Sequence, residues 1–442
     1  MSEILPVDTL PVAIIGAGPV GLAAAVHLHQ RGERFVVLES GDRAGAAVLE
    51  WAHVRMFSPW EYNIDPAGAD LLQAQGWMAP PLNDYPTGGD LVRDYVAPLA
   101  AHPAIAPHVR YATRVAGVSR VGRDRTKTAG RDRAPFVVRV TVPDGEDEFL
   151  ARAVIDASGT WRTPNPLGTH GYPALGETAL GDALAYDMPD VLGHDRARYA
   201  GQRVLVIGSG HSAMNVLLDL AELAEVAPAT RIAWAVRRPS VDGVFGGGDR
   251  DQLAERGRLG KRFQALVASG RLEIVAGFGI TRISRTGGGI IASNGTRDLQ
   301  PVDRVIAATG FRPDLDILRE LRIDLDAVVE SPRTLAPLID PNIHSCGTVP
   351  PHGAEELQHP EPSFYIVGMK SYGRAPTFLL RTGYEQVRSV VCALVGDVEG
   401  ARRVELTLPE TGVCSTNRVL TLQSADACCA PTGAPVGRSS CC

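Results

Sequence analysis

Residues 12–39, VAIIGAGPVGLAAAVHLHQRGERFVVLE, leave few folds open to the chain. The apolar run 12–15 reads as a strand buried on both faces, as in a parallel sheet. Gly16, Gly18 and Gly21 follow in the spacing GxGxxG, with Pro19 in the same turn. A helix-favouring run then stops at Gly32, a residue that suits the left-handed end of a helix. A second apolar strand, 35–38, ends in Glu39. Gly16 permits a tight turn, and Gly18 removes the side chain that would block a pyrophosphate. Gly21 lets the helix pack closely on the strand. The phosphates would rest on free N–H groups at the helix start, where the dipole favours negative charge. Glu39 stands where a carboxylate accepts hydrogen bonds from a ribose. Strand, turn, helix, strand and acid in this order read as a dinucleotide site.

The pattern recurs. In VLVIGSGHSAMNVLLDL, residues 204–220, Gly208, Gly210 and Ala213 fill the three small positions and Ser212 lies between them. The next strand, RIAWAV, ends in Arg237 and Arg238 instead of an acid. A carboxylate there would bind the 2′-hydroxyl of NADH and repel a 2′-phosphate, whereas two guanidiniums supply charge and paired donors for that phosphate. The second site is therefore read as one for NADPH. Two similar strands bracket it. AVIDASG ends at Ser158 and Gly159, and VDRVIAATGFRP ends at Thr309 and Gly310. Small residues at strand ends let a second backbone or a ligand approach closely.

With 442 residues, 45% of them hydrophobic, the chain can fill two or three domains. A net charge of −6 argues against nucleic acid as a partner. No apolar stretch approaches the ~18–20 residues that span a bilayer. The first residues lack the pattern of a signal peptide, so a cytoplasmic protein is expected. The segment 51–63, WAHVRMFSPWEYN, reads as an aromatic loop or short helix near a ligand, or equally as plain core packing. Residues 84–102 read as a helix with Asp90 as N-cap, and 241–270 as a glycine turn followed by a helix capped by Asp249. Strand-like runs cover 109–121, 136–142, 148–155, 272–284 and 289–293, with 122–134 a solvated hairpin loop. The segment 363–395 reads as strand, loop and long helix, its Gly368 and Gly373 flanking Met369, Lys370, Ser371 and Tyr372. The fold class is α/β, with two Rossmann-like three-layer nucleotide-binding domains, one inserted in the other. The outer domain takes 1–163 and 303–408, the inserted one 164–302, and 409–442 forms a cysteine-rich flexible tail.

Two GxGxx(G/A) units with Ala-Ser-Gly and Ala-Thr-Gly-Phe-Arg-Pro-Asp hinges resemble the flavoproteins with two dinucleotide-binding domains, among them thioredoxin reductases and flavin-containing monooxygenases. The runs VLVIGSGHSA, ATGFRPD, GMKSYGRAPTFL and TGYEQVRS, with the cysteine-rich end, are similar to the flavin-dependent monooxygenases of bacterial arsenic-resistance gene clusters. The resemblance implies FAD in the outer domain, its pyrophosphate at Gly16, Gly18 and Gly21 and its ribose at Glu39. The loop with Gly368 and Met369 would face the flavin, and Trp51 and Arg55 are candidates to touch it. NADPH would pass hydride to FAD and dioxygen would receive the electrons. A dry pocket would send one oxygen atom to a soft nucleophile such as a trivalent arsenical, and a wet one would release hydrogen peroxide. Two features depart from the families. No CxxC occurs in the chain, and residues 172–190 lack the histidine of the FxGxxxHxxx(Y/F) monooxygenase fingerprint.

Of the seven cysteines, Cys346 and Cys392 lie in the body and five in the last 29 residues. Four thiols, Cys428, Cys429, Cys441 and Cys442, could wrap one soft ion, for which trivalent arsenic, mercury or copper(I) qualify. An unstructured tail without such a role is the plain alternative. His344, Cys346, His352 and His359 match no zinc spacing, and Cys392 reads as core. Candidates for a catalytic residue are Lys370, Tyr372 and Cys346. The leading expectation is an NADPH-dependent FAD oxygenase or oxidase acting on a small molecule. The alternatives are a metalloid or disulfide reductase that uses the tail thiols, and a non-catalytic metalloid-binding flavoprotein. A homodimer is one arrangement the chain allows.

Overall fold

The computed structural model describes residues 6–406, apart from 243, 246, 247, 249, 250, 252, 341–348, 376 and 377. The expected Asp249 cap, His344, Cys346 and the tail cysteines lie outside the described residues.

The chain begins with β1 (Val12–Ile15), α1 (Pro19–Gln30), β2 (Phe35–Leu38) and β3 (Val109–Arg110). An antiparallel sheet of β4 (Arg114–Arg120), β5 (Phe136–Val142) and β6 (Gly145–Ala151) follows, then β7 (Ala153–Asp156). Next come β8 (Leu184–Ala185), β9 (Arg203–Ile207), α2 (His211–Val226), β10 (Arg231–Ala235) and α3 (Ala254–Ala268). The remainder holds β11 (Glu273–Val275), the hairpin β12 (Arg282–Thr286) and β13 (Gly289–Ser293), β14 (Arg304–Ala307), β15 (Phe364–Ile366) and α4 (Leu380–Leu394).

Two five-stranded sheets carry the architecture, with orders β15-β7-β1-β2-β3 and β11-β10-β9-β14-β8. All pairings within them among the described residues are parallel, with Ile15 opposite both Leu38 and Asp156, and Ile207 opposite both Ala235 and Ala307. In each sheet the strand that enters a glycine turn is central. It lies between the strand reached through the following helix and a strand that ends in a small-residue turn. The second unit thus repeats the first. Uninterrupted apolar strands fit this arrangement because both faces are covered: every residue of β1 and β2 is buried. The alanine-rich α1 buries nine residues and packs against α4.

Several local expectations need correction. The division at 303 put β14 in the outer domain, yet β14 pairs with β9 and β8 in the second sheet. The chain crosses back only after Ala307, just as it crosses out after β7. The run 148–155 breaks at Arg152 into strands of two different sheets, 109–121 breaks into β3 and β4, and 272–284 into β11 and β12. The helix near 88 is capped by Thr87, and Asp90 serves as its reciprocal partner, accepting from the Thr87 N–H at 2.9 Å. The 122–134 loop is not wholly solvated. Arg131 is 1% exposed and its guanidinium lies 2.8 Å from the Glu361 carboxylate, which also binds Arg120 at 2.8 Å.

Candidate functional site

The first glycine turn is built as its spacing requires. Gly16 has φ of +100°, and a Cβ there would fall 2.9 Å from the Ala157 carbonyl oxygen. A Cβ on Gly21 would fall 2.0 Å from the Gly16 oxygen, so the helix start and the turn touch backbone to backbone. Gly18 differs. It has an ordinary φ of −79°, caps α1, and a Cβ there would meet nothing within 4 Å. The protein itself does not require glycine at this position, whereas a ligand lying on the free N–H groups of α1 does. Pro19 opens the helix, where its missing donor costs nothing. Glu39 closes the turn from the other side. Its carboxylate accepts the Ala17 and Gly41 N–H groups, each at 2.7 Å, which leaves lone pairs for further donors.

The end of β7 is clasped to the turn at 368–372. Lys370 Nζ lies 2.6 Å from Asp156 Oδ2 and 3.1 Å from Ser158 Oγ, and both charged side chains are fully buried. The Ser158 hydroxyl donates to the other Asp156 oxygen at 2.6 Å. Ser158 is exposed at the turn, and Gly159 beyond it is half-buried, with φ of +70°. Lys370 is therefore placed as a tie between two segments. Tyr372 is 1% exposed, and burial pushes its pKa up, so it too is placed as core. Replacing Lys370 with Met strands the Asp156 charge. The expected cost is about 3–5 kcal/mol, read as a large fall in melting temperature, with Lys370→Arg losing less.

Gly368 has φ of +67°, and a Cβ there would lie in contact with Val20 in the first turn of α1, at 3.4 Å. The 368–372 turn thus borders the first seat, with Met369 half-buried beside it. Arg55 makes its described contact away from this seat, whereas Trp51 also approaches Trp161. The Trp51 ring covers Gly88, and Arg55 donates to the Tyr85 carbonyl at 2.8 Å.

The second turn repeats the first more tightly. Gly208 has φ of +133°, and a Cβ there would fall 2.1 Å from the Ala308 oxygen. Gly210 caps α2, and a Cβ on it also meets nothing within 4 Å. Ala213 is buried and Ser212 half-buried in the first turn of α2. Arg237 is exposed and Arg238 half-buried beyond the end of β10, and among the described residues neither side chain makes an ion pair or hydrogen bond. Two unpaired guanidiniums beside an open helix start fit a phosphorylated dinucleotide. Thr309 is committed to the crossing chains: its hydroxyl donates to the Asn165 carbonyl, and Asn165 Nδ2 donates back to the Thr309 carbonyl at 3.2 Å. Gly310 follows with φ of +81°.

Sequence reasoning missed several neighbours. His211 opens α2, and its ring lies 5.4 Å from Phe57, reaching across from the first unit. Burial, with Arg256 nearby, lowers its pKa to about 4, so the imidazole is neutral. Trp161 and Phe311, each just past a small-residue turn, lie 4.6 Å apart where the chains cross, and Trp51 lies 6.3 Å from Trp161. The signal available was an aromatic two positions after Gly159 and one after Gly310. Cys392 is buried as expected, and Arg31 Nη2 lies 3.1 Å from its sulfur. Among the described residues no cluster of His, Cys, Asp or Glu could hold a metal. No helix among them is long and apolar enough to cross a membrane.

Comparisons with known proteins agree with this geometry. Residues 13–345 match the model of the pyridine nucleotide-disulphide oxidoreductase family. A ferredoxin–NADP reductase of Salinispora tropica is 27% identical over 320 residues, 71% of this chain and 78% of the relative. Indole-3-pyruvate monooxygenase YUCCA8 of Oryza sativa is 28% identical over 224 residues, 47% of this chain and 45% of that protein, so the chain spans under half of it. A bacillithiol disulfide reductase from Bacillus cereus superposes with a TM-score of 0.64 over 88% of this chain and 99% of that one, at 19% identity, a likeness of fold. With well over half of its length matched and two dinucleotide seats built into it, the chain belongs to the pyridine nucleotide-disulphide oxidoreductase family and is an enzyme whose cofactors are FAD and NADPH.

Proposed function

We propose that the chain is an NADPH-dependent flavin monooxygenase or NADPH oxidase, acting in the cytoplasm on a trivalent arsenical or a similar soft nucleophile. In this reading FAD occupies the first seat, held by Gly16, Gly18, Pro19, Gly21 and Glu39 and bordered by Ser158, Gly159, Gly368 and Met369. NADPH occupies the second, held by Gly210, Ser212, Ala213, Arg237 and Arg238. The observation that carries it is the lack of an internal acceptor among the described residues. The chain has no CxxC, and Cys392, the one cysteine among the described residues, is buried against Arg31. In this reading electrons delivered to the first seat go to a small molecule, and dioxygen is the acceptor at hand. Bound FAD would supply the two-electron chemistry. The protein would supply position and exclusion of water, for which the half-buried rings of Trp51, Trp161 and Phe311 are suited. In the oxygenase reaction NADPH and trivalent arsenic each give two electrons. One oxygen atom goes to arsenic and the other leaves as water.

The test is NADPH consumption with product analysis across arsenite, methylated arsenite, thiols and ketones. The expected result is faster consumption with a trivalent arsenical, matched by pentavalent product. One unchanging rate with every compound, all electrons ending in peroxide, would count against the arsenical.

The cysteines favour a second reading, because five of seven fall in the last 29 residues. A reductase passing electrons through the thiols at 428, 429, 441 and 442 should lose turnover when residues 424–442 are removed. A truncated protein that works as before would leave the oxygenase reading.

A further inference from the structure

We propose that Gln386 is a positioning residue that holds the 368–372 turn against the first dinucleotide seat, and that it can do so only while His352 presents a bare Nε2 to it. This rests on the reading that FAD lies in that seat.

The Gln386 side chain is completely buried on α4, and its amide is fully spent. Its one oxygen accepts the Gly368 N–H at 2.7 Å. Its nitrogen donates to Ser371 Oγ at 3.0 Å and faces His352 Nε2 at 2.8 Å. The Ser371 hydroxyl is itself committed as a donor to the Gly368 carbonyl at 2.7 Å. Only one orientation of the amide satisfies all of these. Turned over, it would set N–H against N–H at Gly368.

The imidazole must therefore accept at Nε2 and carry its proton on Nδ1, which lies 3.0 Å from the Pro350 carbonyl. A protonated ring would point a second donor at the Gln386 nitrogen. The amide would then have to turn over and give up the Gly368 N–H, the hydrogen bond that ties the 368–372 turn to α4. His352 is only 4% exposed, but it lies at the wall of a cleft of about 600 Å³. Burial holds its pKa below the usual value, opposed by the Pro350 carbonyl and the Glu356 and Glu385 carboxylates. Arg402 and Arg403 line the same cleft, and the Tyr372 ring packs 5.7 Å away.

The sign follows from the lowered pKa. Above the ordinary histidine value of about 6.5 the ring is neutral both folded and unfolded, and the clamp is intact. As pH falls through that range, protons bind better to forms in which the clamp is open, so the turn loosens.

The experiment is FAD titration of apoprotein, followed by flavin fluorescence and the fine structure of the visible band, between pH 8 and pH 5.5. Wild-type protein should lose affinity by about fivefold or more on acidification, the worth of one buried hydrogen bond. His352→Gln offers an amide oxygen at every pH, so it should match wild type at pH 8 and stay nearly flat. Gln386→Leu should bind roughly tenfold more weakly even at pH 8, with an altered visible band. If His352→Gln keeps the wild-type pH dependence, the inference is wrong, even if Gln386→Leu does not fold. Wild-type protein that takes no FAD at any pH would end the proposed function itself.

Discussion

Gly208→Ala is expected to give a protein that is yellow but does not respond to NADPH. The added Cβ would sit 2.1 Å from the Ala308 carbonyl oxygen, a backbone atom that cannot move aside alone. The φ of +133° adds strain for any side chain, on the order of 1–3 kcal/mol. The start of α2 must shift, and with it the N–H groups meant for the pyrophosphate. The first sheet has its own core and no part in this clash, so FAD should stay bound. Reduction by NADPH in the absence of oxygen should slow by about a hundredfold or more, as a misplacement of about 1 Å can cost that much. Gly21→Ala is the mirror case. Its Cβ would fall 2.0 Å from the Gly16 oxygen, and the protein should emerge colourless. Flavin content by absorbance and stopped-flow reduction separate the two. If Gly208→Ala is reduced at the wild-type rate, the second turn is not the NADPH seat.

Replacing both Arg237 and Arg238 with Ala should erase the preference for NADPH over NADH. Neither guanidinium has a partner among the described residues, so their loss should leave the fold intact and melting barely changed. A hydrogen bond to a charged group is worth about 1.5–3 kcal/mol. Losing two from the 2′-phosphate should raise the KM for NADPH on the order of 100-fold. The KM for NADH, which lacks that phosphate, should stay within about threefold, since only the loss of local positive charge acts on it. High salt should lower wild-type affinity for NADPH more than for NADH. Equal losses with both cofactors would show that these arginines act on the pyrophosphate or on the fold.

What could be read from the chain and what could not divide along a physical line. Both glycine turns, both small-residue strand ends and the long helix after Gly373 were legible because their chemistry is local. A turn that needs φ above zero, or a helix start that must stay bare, writes itself into five or six consecutive residues. Lys370 shows the opposite case. Its position beside the seat suggested catalysis, and only the fold reveals Asp156 opposite it, 214 positions away in sequence. Arg131 looked solvated in a charged run for the same reason, its partner Glu361 lying 230 positions away. The clamp of Gln386, Gly368 and His352 likewise joins a helix, a turn and a cleft wall that share no pattern. Asp90 was misassigned by three residues because Thr87 and Asp90 exchange hydrogen bonds and either can pass for the cap. The boundary at 303 failed because β14 resembles β7, and the resemblance hid that each strand belongs to the sheet of its own glycine turn.

The central claim is that one chain brings a phosphorylated nicotinamide and a flavin together so that electrons pass between them. Mixing the purified protein, loaded with FAD and freed of oxygen, with one equivalent of NADPH tests it most directly. The expected result is rapid bleaching of the yellow flavin band, far slower with NADH, and recovery of the colour on admitting air. A protein that stays colourless when FAD is supplied, or whose flavin band is unmoved by NADPH, contradicts the account.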